Sequence, residues 1–221
     1  MRNQSYFIKV CCIFFATIAL SACGGGGDTT APAETTNGGT TGATTSSEPT
    51  TGYGYVTNPA GGNFGTQCAK DFATGLIWEG KNPDPSHPQS VGRAFTNFDS
   101  TTTLQILIEI PGRPTLYLAP SNADINATSN SIGYKNTINA SALCGFTDWR
   151  LPTRNELIAL GKLSDKLPDF PEVTSGAYWS SANISEDGDD TIGVVVRPPD
   201  VAGNKAYRVD RYGVRLVRSS R

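Results

Sequence analysis

Cysteine carries most of the chemistry on offer in this sequence, and its five copies fall into three situations. Leu20-Ser21-Ala22-Cys23 closes an apolar run, Val10 to Leu20, that follows the basic residues Arg2 and Lys9. The run is far short of the roughly 20 apolar residues that a membrane-spanning helix needs. Small residues leading into a cysteine read as a bacterial lipoprotein signal: export, acylation of the Cys23 thiol, and cleavage before Cys23. Cys11 and Cys12 then leave with the signal. Cys68 and Cys144 remain in an oxidising compartment, either joined as a disulfide or buried as separate thiols. Joined, they close a long loop, which the chain-entropy model converts into at most about 4–5 kcal/mol. Neither sits in a CxxC, so a redox or zinc site is not expected.

Other chemistry-bearing residues are sparse. His87 is the single histidine and lies in the proline-punctuated Asp84-Pro85-Ser86-His87-Pro88. Ser-His or Cys-His activation and histidine-rich metal sites therefore lack material. Glu186-Asp187-Gly188-Asp189-Asp190 is rich in the oxygens Ca²⁺ prefers, but its spacing is not that of an EF-hand and a solvated loop is expected. The C-terminus is more suggestive. From Arg197 to Arg221 seven basic residues face only Asp200 and Asp210. Guanidinium forks match anionic oxygens, so Arg208, Arg211 and Arg215, with Tyr207 and Tyr212 beside them, are the candidate ligand-binding residues. Internal salt bridges are the competing reading.

Composition narrows the classes further. Losing residues 1 to 22 removes Arg2 and Lys9 and no acid, leaving 16 basic and 20 acidic side chains, a charge of −4. That balance gives no reason to expect nucleic acid as a partner. Residues 23–52, the lipidated cysteine and a Gly/Thr-rich stretch without aromatics or large aliphatics, are expected to form a disordered tether. The globe is expected at 53–221, long enough for one domain.

Within the globe, Asp71 to Gly75 reads as a turn feeding a strand through Trp78. Thr103 to Ile110 and Thr115 to Ala119, joined by Pro111-Gly112-Arg113-Pro114, read as a β-hairpin. Tyr134, Ile138 and Ala142 share the four-residue spacing of one helix face. Thr153 and Glu156 form a capping box that starts a second helix ending near Leu163. Tyr178 to Ser181, Gly193 to Val196, Lys205 to Val209 and Val214 to Arg218 read as short strands. Two modest helices among short strands predict an α+β domain. Trp78, Trp149, Tyr178 and Trp179 are expected in its core, and Arg150 is expected to pair with Asp148 or Glu79.

Four blocks carry a family resemblance: Cys68-x-x-Asp71-x-x-Thr74-Gly75-Leu76-Ile77-Trp78-Glu79, Leu143-Cys144-Gly145-Phe146-Thr147-Asp148-Trp149-Arg150-Leu151-Pro152-Thr153-x-x-Glu156-Leu157, Tyr178-Trp179-Ser180-Ser181, and Val214 to Arg218. In that order they resemble the Lcl C-terminal domain family, named after a collagen-like bacterial adhesin. The resemblance implies a C-type-lectin-like fold, similar also to formylglycine-generating enzymes, and supports a Cys68–Cys144 bridge. Residues 82 to 130 and Arg197 to Asp200 depart from the family pattern, where a ligand surface would be reshaped.

The expectation is a lipid-anchored, non-enzymatic surface lipoprotein, a ligand-binding or adhesion module for acidic or sulfated glycans. Gly24 in place of the inner-membrane retention residue Asp favours the outer membrane. No cofactor and no metal are expected, and a homo-oligomer is compatible with adhesin relatives. The alternatives are a structural envelope component binding a protein partner or peptidoglycan, and a formylglycine-generating-like enzyme, which would need free thiols.

Overall fold

The computed structural model describes residues 49–58, 60–62, 64–101, 103–161, 176–183, 190–198 and 202–220. The expected signal peptide at 1–22, Cys23, and the tether up to residue 48 lie outside the described residues, as do 186–189 of the acidic run.

The described chain is α+β, with three helices and three small antiparallel sheets. The first sheet holds β1 (Tyr53–Tyr55), β2 (Cys68–Asp71), β3 (Leu76–Glu79) and β9 (Val217–Ser219), in the order β1-β2-β3-β9. The second is the expected hairpin, β4 (Ile106–Ile108) with β5 (Leu116–Leu118). The third holds β6 (Tyr178–Asn183), β7 (Ile192–Val196) and β8 (Gly203–Tyr207). Gly75 closes the β2–β3 turn at φ +69°, a conformation glycine adopts without steric cost, and its amide donates to the Asp71 carbonyl.

Strand alternation divides the apolar residues between two cores. Ile77, Trp179, Val195 and Leu216 join Cys68, Phe95, Tyr134 and Trp149 in one cluster. Their chain neighbours Trp78, Tyr178, Val194, Val196 and Val217 join Leu157 and Leu160 in the other. The expected core aromatics are thus all buried.

Helix α1 (Asn122–Asn126) was not among the expected elements, although Ser121 and Asp124 form a reciprocal capping box. Helix α2 (Ser131–Ala140) buries Tyr134 and Ile138 as its spacing implies. Ala142, however, lies beyond its end at φ +49°, with Cys144 at +53°. Two non-glycine residues in the left-handed region are uncommon, and the Cys68–Cys144 disulfide closes on this strained turn. Helix α3 (Arg154–Leu160) begins at the Thr153 capping box and is shorter than the spacing implies; Leu163 lies outside the described residues. The strand expected from Val214 begins only at Val217, because the Glu79 amide donates to the Leu216 carbonyl while the Leu216 amide is diverted to the Glu79 carboxylate.

Candidate functional site

Strand β8 ends at Tyr207, where the chain turns and the Asp210 amide donates to the Tyr207 carbonyl at 2.9 Å. The turn gathers Lys205, Tyr207, Asp210 and Tyr212 around a pocket of about 350 Å³, also lined by Ile192 and Ala206. Lys205 and Tyr207, two residues apart on a strand, share a face, and Ile192 pairs directly with Tyr207. Tyr212 is clamped. Its backbone exchanges two bonds with Phe95, and its ring meets Trp179 edge-on at 5.2 Å between centroids. The Trp179 indole N–H in turn donates to the Phe95 carbonyl at 2.7 Å. Tyr207 is 43% exposed, and Arg211, between two lining residues, is exposed. The fixed Tyr212 ring and the exposed Tyr207, with a cation and a carboxylate beside them, can stack a ring and orient polar groups.

Of the three candidate arginines, Arg208 and Arg215 do not reach that face. Arg208 is buried: its Nε donates to the Asp190 carbonyl at 3.0 Å, and its Nη1 to the Asn97 carbonyl at 2.8 Å and to Asp99 Oδ2 at 3.1 Å. Burial alone would raise Asp99, but hydrogen bonds from Thr101 and the Arg208 charge hold its carboxyl below the ordinary value. Arg215 is also buried, donating to the Glu79 carbonyl with its guanidinium over the Tyr178 ring. Arg208 and Arg215 are therefore corrected from surface ligands to interior anchors. Sequence could not separate them from Arg211, because Asn97, Asp99 and Glu79, which tie them down, lie over a hundred residues away.

The motif residues have equally definite places. Arg150 does not pair with Asp148 or Glu79; it makes a bidentate pair with Glu156 at 2.8 and 2.7 Å. Asp148 instead receives Arg218 Nε at 2.6 Å, and that guanidinium lies 3.8 Å over the Phe146 ring. Trp149 is buried, with its indole N–H on the Leu143 carbonyl. Residues 67–218, which contain all of these, match the family model described as the Lcl C-terminal domain. The chain belongs to the Lcl C-terminal domain family. No curated protein matches it. Membership points to a surface or adhesion-type domain.

Beneath the surface, this Lcl C-terminal domain holds an ionic centre that sequence reasoning missed. The Glu79 side chain is fully buried; its Oε1 accepts from Lys81 Nζ at 2.8 Å and from the Tyr134 hydroxyl, and its Oε2 from the Leu216 amide at 2.8 Å. Burial pushes Lys81 down to about 8 against the upward pull of the Glu79 charge, and pushes Tyr134 well above its ordinary value. Glu79-Gly80-Lys81 carries no signal beyond two opposite charges beside a strand. A second pocket of about 410 Å³ lies against α2 and the Arg150–Thr153 segment, lined among others by Asn97, Lys135, Thr153 and Ser181. Among the described residues no three His, Cys, Asp or Glu side chains gather as a metal site.

Proposed function

We propose that this chain is a lipid-anchored surface lipoprotein whose C-type-lectin-like domain binds acidic or sulfated glycans without catalysing a reaction. The Tyr207–Tyr212 pocket carries the reading. It offers a clamped aromatic wall for a sugar ring, with Lys205 lining it and Arg211 exposed beside it as cations for sulfate or carboxylate. The lipoprotein signal at 1–22, acylation of Cys23 and delivery to the outer membrane rest on the sequence pattern. A non-enzymatic role is supported by the consumption of Cys68 and Cys144 in a disulfide, since chemistry of the formylglycine-generating kind needs free thiols.

The test is retention of the mature chain on immobilised heparin and on neutral glycans across a salt gradient. Heparin retention should weaken steeply with salt and with Lys205→Ala plus Arg211→Ala. Tyr207→Ala should weaken it about tenfold, the loss of roughly 1.4 kcal/mol of stacking. Absence of retention at low salt, or indifference to all three substitutions, refutes this site and shifts the assignment to an envelope protein or peptidoglycan partner.

A further inference from the structure

The β4–β5 hairpin exposes large apolar side chains on both of its faces. The register pairs Ile106 with Leu118 and Ile108 with Leu116 on one face, and Leu107 with Tyr117 on the other. Ile108, Leu116 and Leu118 are 37%, 45% and 40% exposed, while Tyr117, pointing the opposite way, is 46% exposed. Scattered surface leucines need no explanation, but a whole hairpin of them does. A flat protein partner, or a second copy of this chain stacked on the sheet, would cover one face and leave the other wet. A fluid apolar phase covers both.

The chain itself says which phase. Twenty-nine residues separate Cys23 from Tyr53, the start of β1. Extended, they reach at most about 100 Å, against a radius of gyration of about 15 Å for a domain this size. Any face of the domain can thus turn to the bilayer holding Cys23. We propose that the β4–β5 hairpin dips into that bilayer as a second, shallow contact, an inference that rests on the lipid anchor at Cys23. Depth is limited by chemistry. Glu109 and Arg113 near the tip favour the headgroups, and the outer edges of a two-stranded sheet carry backbone groups that hydrocarbon cannot satisfy. With the tip charges held at that level, Ile108, Leu116 and Leu118 lie no deeper than the boundary between headgroups and acyl chains, where Tyr117, apolar with a polar end, is also suited.

The experiment uses the acylated mature chain on phosphatidylethanolamine–phosphatidylglycerol vesicles. One environment-sensitive fluorophore is attached through Ile108→Cys, Tyr117→Cys, or Asn136→Cys at an exposed position of α2. Probes at 108 and 117 should both shift to the blue, and nitroxides on the upper acyl chain should quench them at least about twofold more than the probe at 136. Water-exposed probes at both positions on a vesicle-bound chain overturn the proposal. Shielding of either position without quenching by the lipid nitroxides, or shielding without vesicles together with a dimer in sedimentation, assigns the hairpin to a second copy. Either result overturns lipid contact. Intact mass of the N-terminal peptide reads the anchor separately, so an unacylated Cys23 is distinguished from a hairpin that ignores lipid.

Discussion

Replacing Glu79 with glutamine tests the buried ionic centre, because it removes one charge and almost no volume. The carboxylate serves three donors at once: Lys81 Nζ, the Tyr134 hydroxyl and the Leu216 amide. A glutamine has one acceptor oxygen, and its NH₂ group would face a donor wherever it is placed. Lys81 is left buried without its anion. Removing one partner of a buried pair typically costs about 3–5 kcal/mol. For a domain of this size 1 kcal/mol moves Tm by about 2–4 °C, so Glu79→Gln should lower Tm by on the order of 10 °C at pH 7. The pH dependence adds a second readout. Lys81 sits at about 8 in the folded protein against an ordinary 10.5, so between these values the unfolded chain binds more protons. Stability of the native protein should therefore rise with pH from about 8 toward 10. Tyr134 acts in the opposite sense: its raised value removes stability once the pH passes 10. In Glu79→Gln the pull that raises Lys81 is gone, so the rise should begin below pH 8. Thermal melts followed by circular dichroism from pH 6 to 10 measure both effects. A Tm within about 3 °C of the native value, or a rise that begins at the same pH, would refute the charge argument.

Two further predictions concern the frame. Joint replacement of Cys68 and Cys144 by serine should lower stability by up to about 4–5 kcal/mol, since the bridge closes 76 residues; melts with and without reductant should differ for the native chain and coincide for the variant. Thr153→Ala should cost about 1 kcal/mol as a lost helix cap. Glu156 bonds both Arg150 and the Thr153 amide, so a double-mutant cycle with Arg150→Met should show coupling of at least about 0.5 kcal/mol. Strict additivity would place the Arg150–Glu156 pair among solvated surface charges.

What the sequence discloses here is local. The Thr153–Glu156 capping box and the apolar segments on either side of Pro111 to Pro114 involve residues within a turn or a strand of each other, and a helix and a hairpin form there, each shorter than expected. The Tyr134–Ile138 spacing likewise locates α2, but not the left-handed turn that ends its face before Ala142. Charge pairing fails as a sequence reading because the partners are remote or deceptively near. Arg150 passes over Asp148, two residues away, for Glu156, and Arg218 crosses 70 residues to reach Asp148. Glu79, expected as a partner for Arg150, instead takes Lys81, two residues on, with Tyr134 and Leu216, more than 50 residues on, closing over the pair.

The buried arginines bear on how ligand binding must be read. Arg208 lies between Tyr207 and Asp210, both of which line the tyrosine pocket, and it ties their turn to Asn97, Asp99 and Asp190. Lysine at 208 would keep the charge but lacks the fork needed to reach two carbonyls and a carboxylate together. Loss of glycan retention in Arg208→Ala or Arg208→Lys would therefore report a displaced turn and not a lost ligand contact. The same holds for Arg215, whose removal strips a cation from beside Glu79. A basic patch inferred from arginine substitutions alone would be indistinguishable from a domain that uses its arginines as interior ties. Lys205, Arg211 and Tyr207 separate the two, because they are exposed and their loss leaves these ties intact.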